Sequence, residues 1–192
     1  MSKRIAFFTA AAFGALALTA TVVAPVSAQD KMKSEMSGEK TVMVGGAAMF
    51  PSKNIIQNAV NSKDHTTLVA AVKAAGLVGT LEGKGPFTVF APTNAAFGKL
   101  PAGTVDTLVK PENKATLTKI LTYHVVAGKL EASDLTDGKK LKTVQGEELT
   151  VKRSGDTVMI IDAKGDSSTV TIPNVNQSNG VIHVVDTVLM PS

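Results

Sequence analysis

The second half of the chain most constrains the fold, because one pattern recurs from Leu130 to the end. Short segments rich in β-branched residues, often alternating apolar and polar, are separated by Asp-Gly, Gln-Gly, Ser-Gly, Lys-Gly and Asn-Gly pairs. Such pairs favour the tight turns that join antiparallel strands. The pattern predicts a meander of strands at 141–144, 148–152, 158–162, 168–172, 175–177 and 181–189.

The stretch from 54 to 124 has helical periodicity instead. Apolar residues within 54–60 fall on one helical face. A second helix is predicted to be capped by Asp64, to hold His65 in a solvated first turn, and to stop at Gly76. A longer helix is predicted to start near Pro111. Helices followed by a strand meander indicate an α+β domain.

Residues 1–28 have the pattern of a secretory signal peptide. Lys3 and Arg4 precede a long apolar run, and small residues lead to a predicted cleavage point after Ala28. The alternative is a retained membrane anchor, but threonine and glycine dilute the run and no basic stop-transfer cluster follows. We therefore expect a secreted protein, either periplasmic or extracellular, without stable membrane insertion after cleavage.

The residues that follow predict a flexible leader at 29–50 and a folded domain at 51–192. The first part of this leader is polar and charged and has no clean period. Its methionines offer thioether ligands of the kind that suit Cu(I), but no histidine completes a site, so a tail with one or two packed methionines is preferred. The methionines concerned are Met32, Met36, Met43 and Met49.

Composition and motifs exclude several classes of function. The chain has 20 basic and 16 acidic residues, scattered rather than clustered, with no tryptophan, which argues against nucleic-acid binding. It has no cysteine, so there is neither a thiol nucleophile nor a thiolate metal site. Neither Gly-x-Ser-x-Gly nor His-Glu-x-x-His occurs. We expect no enzyme activity, no cofactor and no bound metal.

Three ordered segments carry a family resemblance. Residues 88–97 read Thr-Val-Phe-Ala-Pro-Thr-Asn-Ala-Ala-Phe and predict a buried strand, a turn and a helix capped by Thr93. Tyr123 and His124 follow a helix, and residues 179–186 read Asn-Gly-Val-Ile-His-Val-Val-Asp. In this order, over most of the mature chain, the sequence resembles a fasciclin domain of the single-domain, secreted bacterial type.

The resemblance implies a fold, a role and a set of signature residues. The fold would be a wedge or sandwich of about seven strands with helices packed at one side. The role would be adhesion, through contact with a cell-surface or matrix protein or a polysaccharide. The signature residues, which we expect to be mainly structural, are Phe90, Pro92, Thr93, Asn94, Phe97, Gly180, His183 and Asp186.

Several of these residues raise specific alternatives. The resemblance makes Tyr123 and His124 candidates for partner contact, although a packed junction is the simpler interpretation. Asp186 lies among apolar neighbours, so we expect it to bond backbone amides, such as those around Thr93. The three histidines of the chain have no short-range ligand spacing, which argues against zinc.

A carrier of a small apolar ligand is the alternative function. The many alanines and glycines at 69–79 and 91–98 would permit a cavity between sheet and helices. A lipid or a pigment bound there would make the protein a carrier outside the cytoplasm.

Overall fold

The computed structural model of the protein describes residues 40–192, in which one curved sheet of seven strands carries helices alongside it. The sheet order is β4-β3-β9-β8-β7-β6-β5. Its strands are β3 (Phe87–Pro92), β4 (Val125–Ala127), β5 (Lys140–Lys142), β6 (Glu148–Ser154), β7 (Thr157–Ile161), β8 (Ser167–Gln177) and β9 (Gly180–Val185). A separate hairpin pairs β1 (Val42–Val44) with β2 (Ala47–Met49).

The two outer strands of the sheet approach each other, which brings it close to a barrel. Val126 of β4 bridges Thr143, which directly follows β5, and the Val144 amide donates to the Val125 carbonyl at 2.8 Å. Closing a sheet in this way leaves fewer unpaired edge groups. The predicted wedge of about seven strands with helices at one side is confirmed in its mixed architecture.

The strands β3 and β9 form a parallel pair that lies between β4 and β8 in the described sheet. Their register runs from Phe87 opposite Gly180 to Pro92 opposite Val185. A side chain at Gly180 would run into the backbone carbonyl of Phe87, so only glycine fits there. The pairing places the two signature segments side by side, although about 90 residues separate them along the chain.

Six α-helices pack beside the sheet in the described part of the chain. Asn54 starts the first with a reciprocal capping box to Gln57, and left-handed Gly76 ends the second as predicted. A 3-10 turn at Pro111–Asn113 leads into the last. The helices are α1 (Ile55–Ala59), α2 (Thr66–Ala75), α3 (Val78–Leu81), α4 (Asn94–Gly98), α5 (Thr104–Leu108) and α6 (Lys114–Tyr123).

The sheet separates two clusters of buried apolar side chains. Val89 and Ala91 belong to the cluster under the helices, whereas Phe90 belongs to the cluster enclosed by the curved sheet. This division follows from the alternation of side chains along a strand. Leu149 and Ile160, from β6 and β7, complete the enclosed cluster around Phe90.

Two helix predictions near residue 64 are wrong. Asp64 lies in a 3-10 turn, Lys63–His65, and no side chain of that turn caps α2. His65 is buried rather than solvated. The physical reason is that the turn packs against the β1–β2 hairpin, where the Lys63 amide donates to the Gly45 carbonyl at 3.2 Å.

The predicted domain boundary at residue 51 falls inside the fold. Val44 and Met49, placed in the flexible leader 29–50, are each only 3% exposed and pack into the core under the helices. The sequence does not reveal this hairpin, because each of its strands has three residues and buries only the last of them. The predicted signal peptide and residues 29–39 lie outside the described residues.

Smaller differences concern the ends of strands. The segments predicted at 168–172 and 175–177 form one strand, β8, whose pairing with β9 shifts register twice before Val175. The closing strand ends at Val185 rather than at Leu189. Within residues 40–192, no helix has the length and apolar character needed to cross a membrane.

Candidate functional site

Tyr123 ends helix α6 with its ring in the cluster enclosed by the sheet. Its side chain is 0% exposed. The hydroxyl donates to the Glu148 carbonyl at 3.3 Å and accepts from the Ala163 amide at 2.8 Å. Tyr123 therefore connects the end of α6 to the start of β6 and to the turn after β7, both of which lie much further along the chain.

His124 makes a second connection with both ring nitrogens. Its Nδ1 lies 2.9 Å from the Ile120 carbonyl, and the Leu189 amide donates to its Nε2 at 2.9 Å. Since a backbone amide can only donate, Nε2 is the acceptor and Nδ1 carries the proton. Burial lowers the pKa of His124 to about 4, so the ring is neutral at physiological pH.

The burial of this pair bears directly on the predicted contact role. His124 is 2% exposed and its neighbour Tyr123 is fully enclosed. A partner that contacts the outer surface of the folded domain does not reach either side chain. The geometry agrees with the structural interpretation of the pair, which closes the junction between α6 and β4.

His183 plays a similar part in the middle of β9, with the opposite proton arrangement. Its Nε2 donates to the Leu130 carbonyl at 2.8 Å, and its Nδ1 accepts from the Asn174 amide at 3.4 Å. The ring stacks on Phe90, with 5.7 Å between centroids. Burial lowers the pKa of His183 below its ordinary value. Both histidines thus act as neutral connectors of backbone groups.

Thr93 and Asn94 both act at helix starts. The Thr93 hydroxyl accepts from the Ala96 amide at 3.2 Å, which confirms the predicted cap of α4. The Asn94 side chain accepts from the Thr67 amide at 3.0 Å and donates to the Lys63 carbonyl at 2.8 Å. Asn94 thereby satisfies the start of α2, which Asp64 was expected to do.

Asp186 bonds a backbone amide, but not the predicted one. Its carboxylate accepts from the Thr169 amide at 2.8 Å and lies 3.4 Å from the Lys99 ammonium. Partial burial acts to raise the pKa of Asp186, but hydrogen bonds from Thr169 and Thr187 and the Lys99 charge hold it below its ordinary value. The Thr93 amide donates instead to the Val185 carbonyl at 3.3 Å.

The other signature residues supply packing. Phe90 fills the enclosed cluster and Phe97 the cluster under the helices. Pro92 ends β3 opposite Val185, a position from which the chain turns into α4. The structure thus brings together the members of the β3–β9 pair and its helix.

Sequence reasoning gave too little weight to Asn179. Its side chain is buried, accepts from the Ile55 amide at 3.1 Å and donates to the Leu81 and Gly83 carbonyls at 2.7 and 2.9 Å. It therefore holds α1, α3 and the loop before β3 together. The available signal was an asparagine beside Gly180, which we interpreted only as turn chemistry.

The buried His65 differs from the other two histidines. Its Nδ1 lies 2.9 Å from the Ser62 hydroxyl, while its Nε2 has no well-formed hydrogen bond in the described structure. Burial lowers the pKa of His65, against the opposing effects of the Ala91 carbonyl and the Asp64 charge. Across residues 40–192, no three His, Asp or Glu side chains are grouped as metal ligands.

His65 also lines an apolar cavity of about 50 Å³ between the helices and the sheet. Val72, Leu121 and Ile182 are among the side chains around it. Even benzene binds in engineered protein cavities of roughly 150 Å³, so a lipid or a pigment needs the cavity to widen. The small residues that suggested a carrier mostly serve close packing: Ala71, Ala75, Ala91 and Ala96 are buried in contact with the core.

The seven-stranded sheet and the helices beside it define a mixed α and β domain that is held together by buried polar connectors. The chain belongs to the fasciclin domain family, which matches residues 63–191. It is 45% identical over 190 residues to Protein sll1483 of Synechocystis sp., a match that covers 99% of this chain and 97% of that relative.

Other relatives are mycobacterial proteins. The Immunogenic protein MPB70 of Mycobacterium bovis is 35% identical over 199 residues, covering 100% of this chain and 98% of its own. The Cell surface glycolipoprotein MPB83 of the same species is 41% identical over 153 residues, covering 77% of this chain and 64% of its own.

A solved structure supports the fold. A FAS1 domain pair from the insect cell adhesion molecule Fasciclin I matches with a TM-score of 0.65 at 19% identity. The match covers 73% of this chain and 52% of that one. No catalytic family is indicated by these comparisons.

Proposed function

We propose that this protein is a secreted, non-catalytic adhesion module that binds a cell-surface or matrix protein or polysaccharide through its outer surface. Family membership supports this, as does a relative whose name places it at the cell surface. Export rests on the signal-peptide pattern at 1–28. The location, periplasmic or extracellular, belongs to the same proposal.

One observation carries the proposal: the signature polar side chains are occupied by the protein's own backbone. His124 and His183 each use both ring nitrogens, so neither retains a free base for catalysis. Asn94 and Asp186 bond amides at the ends of elements. A scaffold held in this way leaves recognition to exposed residues.

The test is binding of the purified mature protein to intact cells of its host. We expect saturable binding to untreated cells. Loss of binding after protease treatment indicates a protein partner, whereas loss after periodate treatment indicates a polysaccharide partner. Tyr123→Phe serves as the matched control, because it removes the hydroxyl bonds but keeps the buried ring. It should lower stability and leave binding unchanged below its melting temperature.

Two results would contradict the proposal. One is the absence of binding to untreated and stripped cells alike. The other is loss of binding in a Tyr123→Phe protein that remains fully folded, because the buried hydroxyl would then belong to a binding site.

The carrier hypothesis is the competing proposal, and the cavity beside His65 is its best support. A native mass spectrum of protein purified from its host separates the two functions. A carrier retains the mass of a lipid or a pigment, whereas an adhesion module gives the mass of the mature chain alone.

A further inference from the structure

The segment of residues 187–192, which follows β9, is bonded to the rest of the domain through side chains rather than through the backbone. Within the described residues, none of its backbone groups bonds another backbone group. Its apolar side chains are nevertheless buried. Val188 packs in the cluster under the helices and Leu189 in the cluster enclosed by the sheet. We call this segment the strap.

Every amide of the strap from residue 189 onward donates to a side chain that can take up a proton. The three bonds, each 2.9 Å long, run from Leu189 to His124, from Met190 to Asp162 and from Ser192 to Glu147. Residue 191 is a proline and has no amide hydrogen to donate. The attachment of the strap therefore depends on the protonation states of its three acceptors.

Protonation of His124 would reverse the sense of its bond to the strap. Its Nε2 accepts from the Leu189 amide only while the ring is neutral, because both ring nitrogens carry a proton in the imidazolium. Two donors would then face each other in a buried site. The ring can take up this proton readily only if the strap moves away and admits water.

The charges closest to this junction are those of Asp162, Glu147 and Lys119. Asp162 favours the protonated ring and so opposes the effect of burial on the pKa of His124. Glu147 pairs with Lys119 at 3.7 Å, and a strap amide is the main cause that holds the pKa of Glu147 below its ordinary value. Of the three acceptors, histidine is the one whose ordinary pKa lies between pH 7 and pH 5. Further charged groups border the strap: Lys99 and Asp186 at its start, and Lys164 and Asp166 in the turn that holds Asp162.

The strap lies beside the junction of Tyr123 and His124. Its two carboxylate acceptors, Asp162 and Glu147, directly precede the Ala163 amide and the Glu148 carbonyl that bond the Tyr123 hydroxyl. His124 also lines the apolar cavity between the helices and the sheet. Detachment of the strap would therefore open a junction that is closed on all sides in the folded domain.

We propose that residues 187–192 form an acid-sensitive strap: protonation of His124 releases it while the sheet stays folded, and its release uncovers the apolar junction beneath Val188 and Leu189. At neutral pH the strap keeps this junction closed, and acid increases the proportion of molecules in which it is open. The inference goes beyond the proposed function, because it concerns when this surface is exposed and not which partner the protein binds.

The size of the effect follows from the two states of the ring. Released, His124 has the ordinary pKa of 6.5, against about 4 when the strap is attached. The released state therefore binds more protons, and its proportion rises as the pH falls. We expect a rise of roughly twentyfold from pH 7 to pH 5, and of roughly a hundredfold from pH 7 to pH 4.

The experiment is amide hydrogen exchange of the nitrogen-15-labelled mature protein, measured by NMR from pH 7 to pH 4 and corrected for the intrinsic exchange rate at each pH. The strap is reported by the Leu189 and Met190 amides. The Phe87 amide, which donates to the Asn179 carbonyl at 3.0 Å, reports the sheet. The strap amides should open at least roughly tenfold more often than Phe87, and low urea should leave their opening unchanged, as expected for a local process.

Two substitutions identify the group that acid acts on. His124→Gln keeps an acceptor for the Leu189 amide but takes up no proton in this range, so strap opening should change by at most about twofold between pH 7 and pH 5. Glu147→Gln keeps an acceptor for the Ser192 amide and removes a carboxylate. As the matched control, it should retain the rise of the unmodified protein within about threefold. If His124→Gln does not fold, the comparison of strap and sheet amides in the unmodified protein decides.

Three results would overturn the inference. Equal opening of the strap amides and Phe87 would show that the strap leaves only when the whole domain unfolds. More frequent opening that is the same at pH 7 and pH 5 would make the strap a frayed segment without a link to His124. A full rise in folded His124→Gln would assign the effect to another group. Cell binding is measured separately at neutral pH, so failure of this inference leaves the proposed function intact.

Discussion

The β3–β9 pair and the end of β8 both carry buried polar side chains, but only the first pairs them fully with the chain's own backbone. Around β3 and β9, the side chains of Asn94, His124 and His183 bond the chain's own backbone. In β8, two residues after Asn174, the Asn176 amide keeps a buried oxygen with no hydrogen-bond partner in the described structure. The first arrangement stabilises the fold, whereas the second costs stability.

The largest expected effect comes from removing His124. His124→Ala leaves the Leu189 amide and the Ile120 carbonyl unpaired in the core and creates a cavity, so the free energy of unfolding should fall by about 3–5 kcal/mol. Urea denaturation followed by circular dichroism measures it. Lys152→Ala, on an exposed strand position, is the control and should change stability by less than about 0.5 kcal/mol. A small effect of His124→Ala would contradict the claim that the polar side chains around β3 and β9 stabilise the fold.

As the pH falls, the stabilising contribution of the buried histidines should be lost before that of the carboxylates. The folded pKa of His124 is about 4 against 6.5 for a free histidine, so the unfolded chain binds more protons between these values. The free energy of unfolding therefore rises with pH across that window. As the pH falls through the same window, the protein loses about 3 kcal/mol of stability because of His124. The lowered pKa values of His65 and His183 act in the same direction.

Urea titrations at several pH values between 7 and 4 check this dependence. The loss from Asp186, whose folded pKa is also lowered, starts at the acid end of the series, because its stabilisation is present above the unfolded carboxyl pKa. A flat profile from pH 7 to pH 5 would show that the histidines are not held neutral.

Asp186 should contribute less, because its side chain is partly exposed and its ion pair with Lys99 is screened. Asp186→Ala removes the acceptor for the Thr169 amide and should lower the free energy of unfolding by about 1–2 kcal/mol. Asp186→Asn keeps one carbonyl oxygen and should cost about half as much. Unchanged urea stability of the alanine variant would refute the role given to this carboxylate.

The smallest effect is expected at Asn176, and it sharpens the comparison most when it is measured beside a matched substitution at Asn94. Asn94→Leu removes bonds to the Thr67 amide and the Lys63 carbonyl and should destabilise by about 2 kcal/mol. Asn176→Leu should leave stability unchanged or raise it by up to about 1 kcal/mol. Effects of the same sign and size at both positions would remove the distinction between the two regions.

Much of this fold was readable from local patterns. Strands with Gly-containing turns, the Gly76 stop and the Thr93 cap depend on residues close in sequence, and the structure has them. The predictions failed where distant residues decide the outcome. Asn94 replaced Asp64 at the start of α2 from 28 residues away, and Thr169 replaced Thr93 as the partner of Asp186.

The hydrogen-bond partners of polar side chains in strands are even harder to predict from the sequence. Polar residues in a β segment give no sign of whether their partners exist, because satisfaction depends on neighbouring strands. Asn174 and Asn176 look alike in sequence, yet one holds the 130–132 loop and the other is left without a partner for its oxygen. Likewise, burial of Tyr123 follows from a cluster formed by β6 and β7, which the Tyr-His pair itself does not reveal.

The central claim is that the buried histidines are neutral connectors of the scaffold, and nitrogen-15 NMR of their rings tests it most directly. The account predicts that His124 is protonated only at Nδ1 and His183 only at Nε2 at pH 7, that His124 remains so down to pH 5, and that His183 titrates below the ordinary pKa of histidine. Titration of either ring near pH 6.5, or a mixture of tautomers in either, would contradict it.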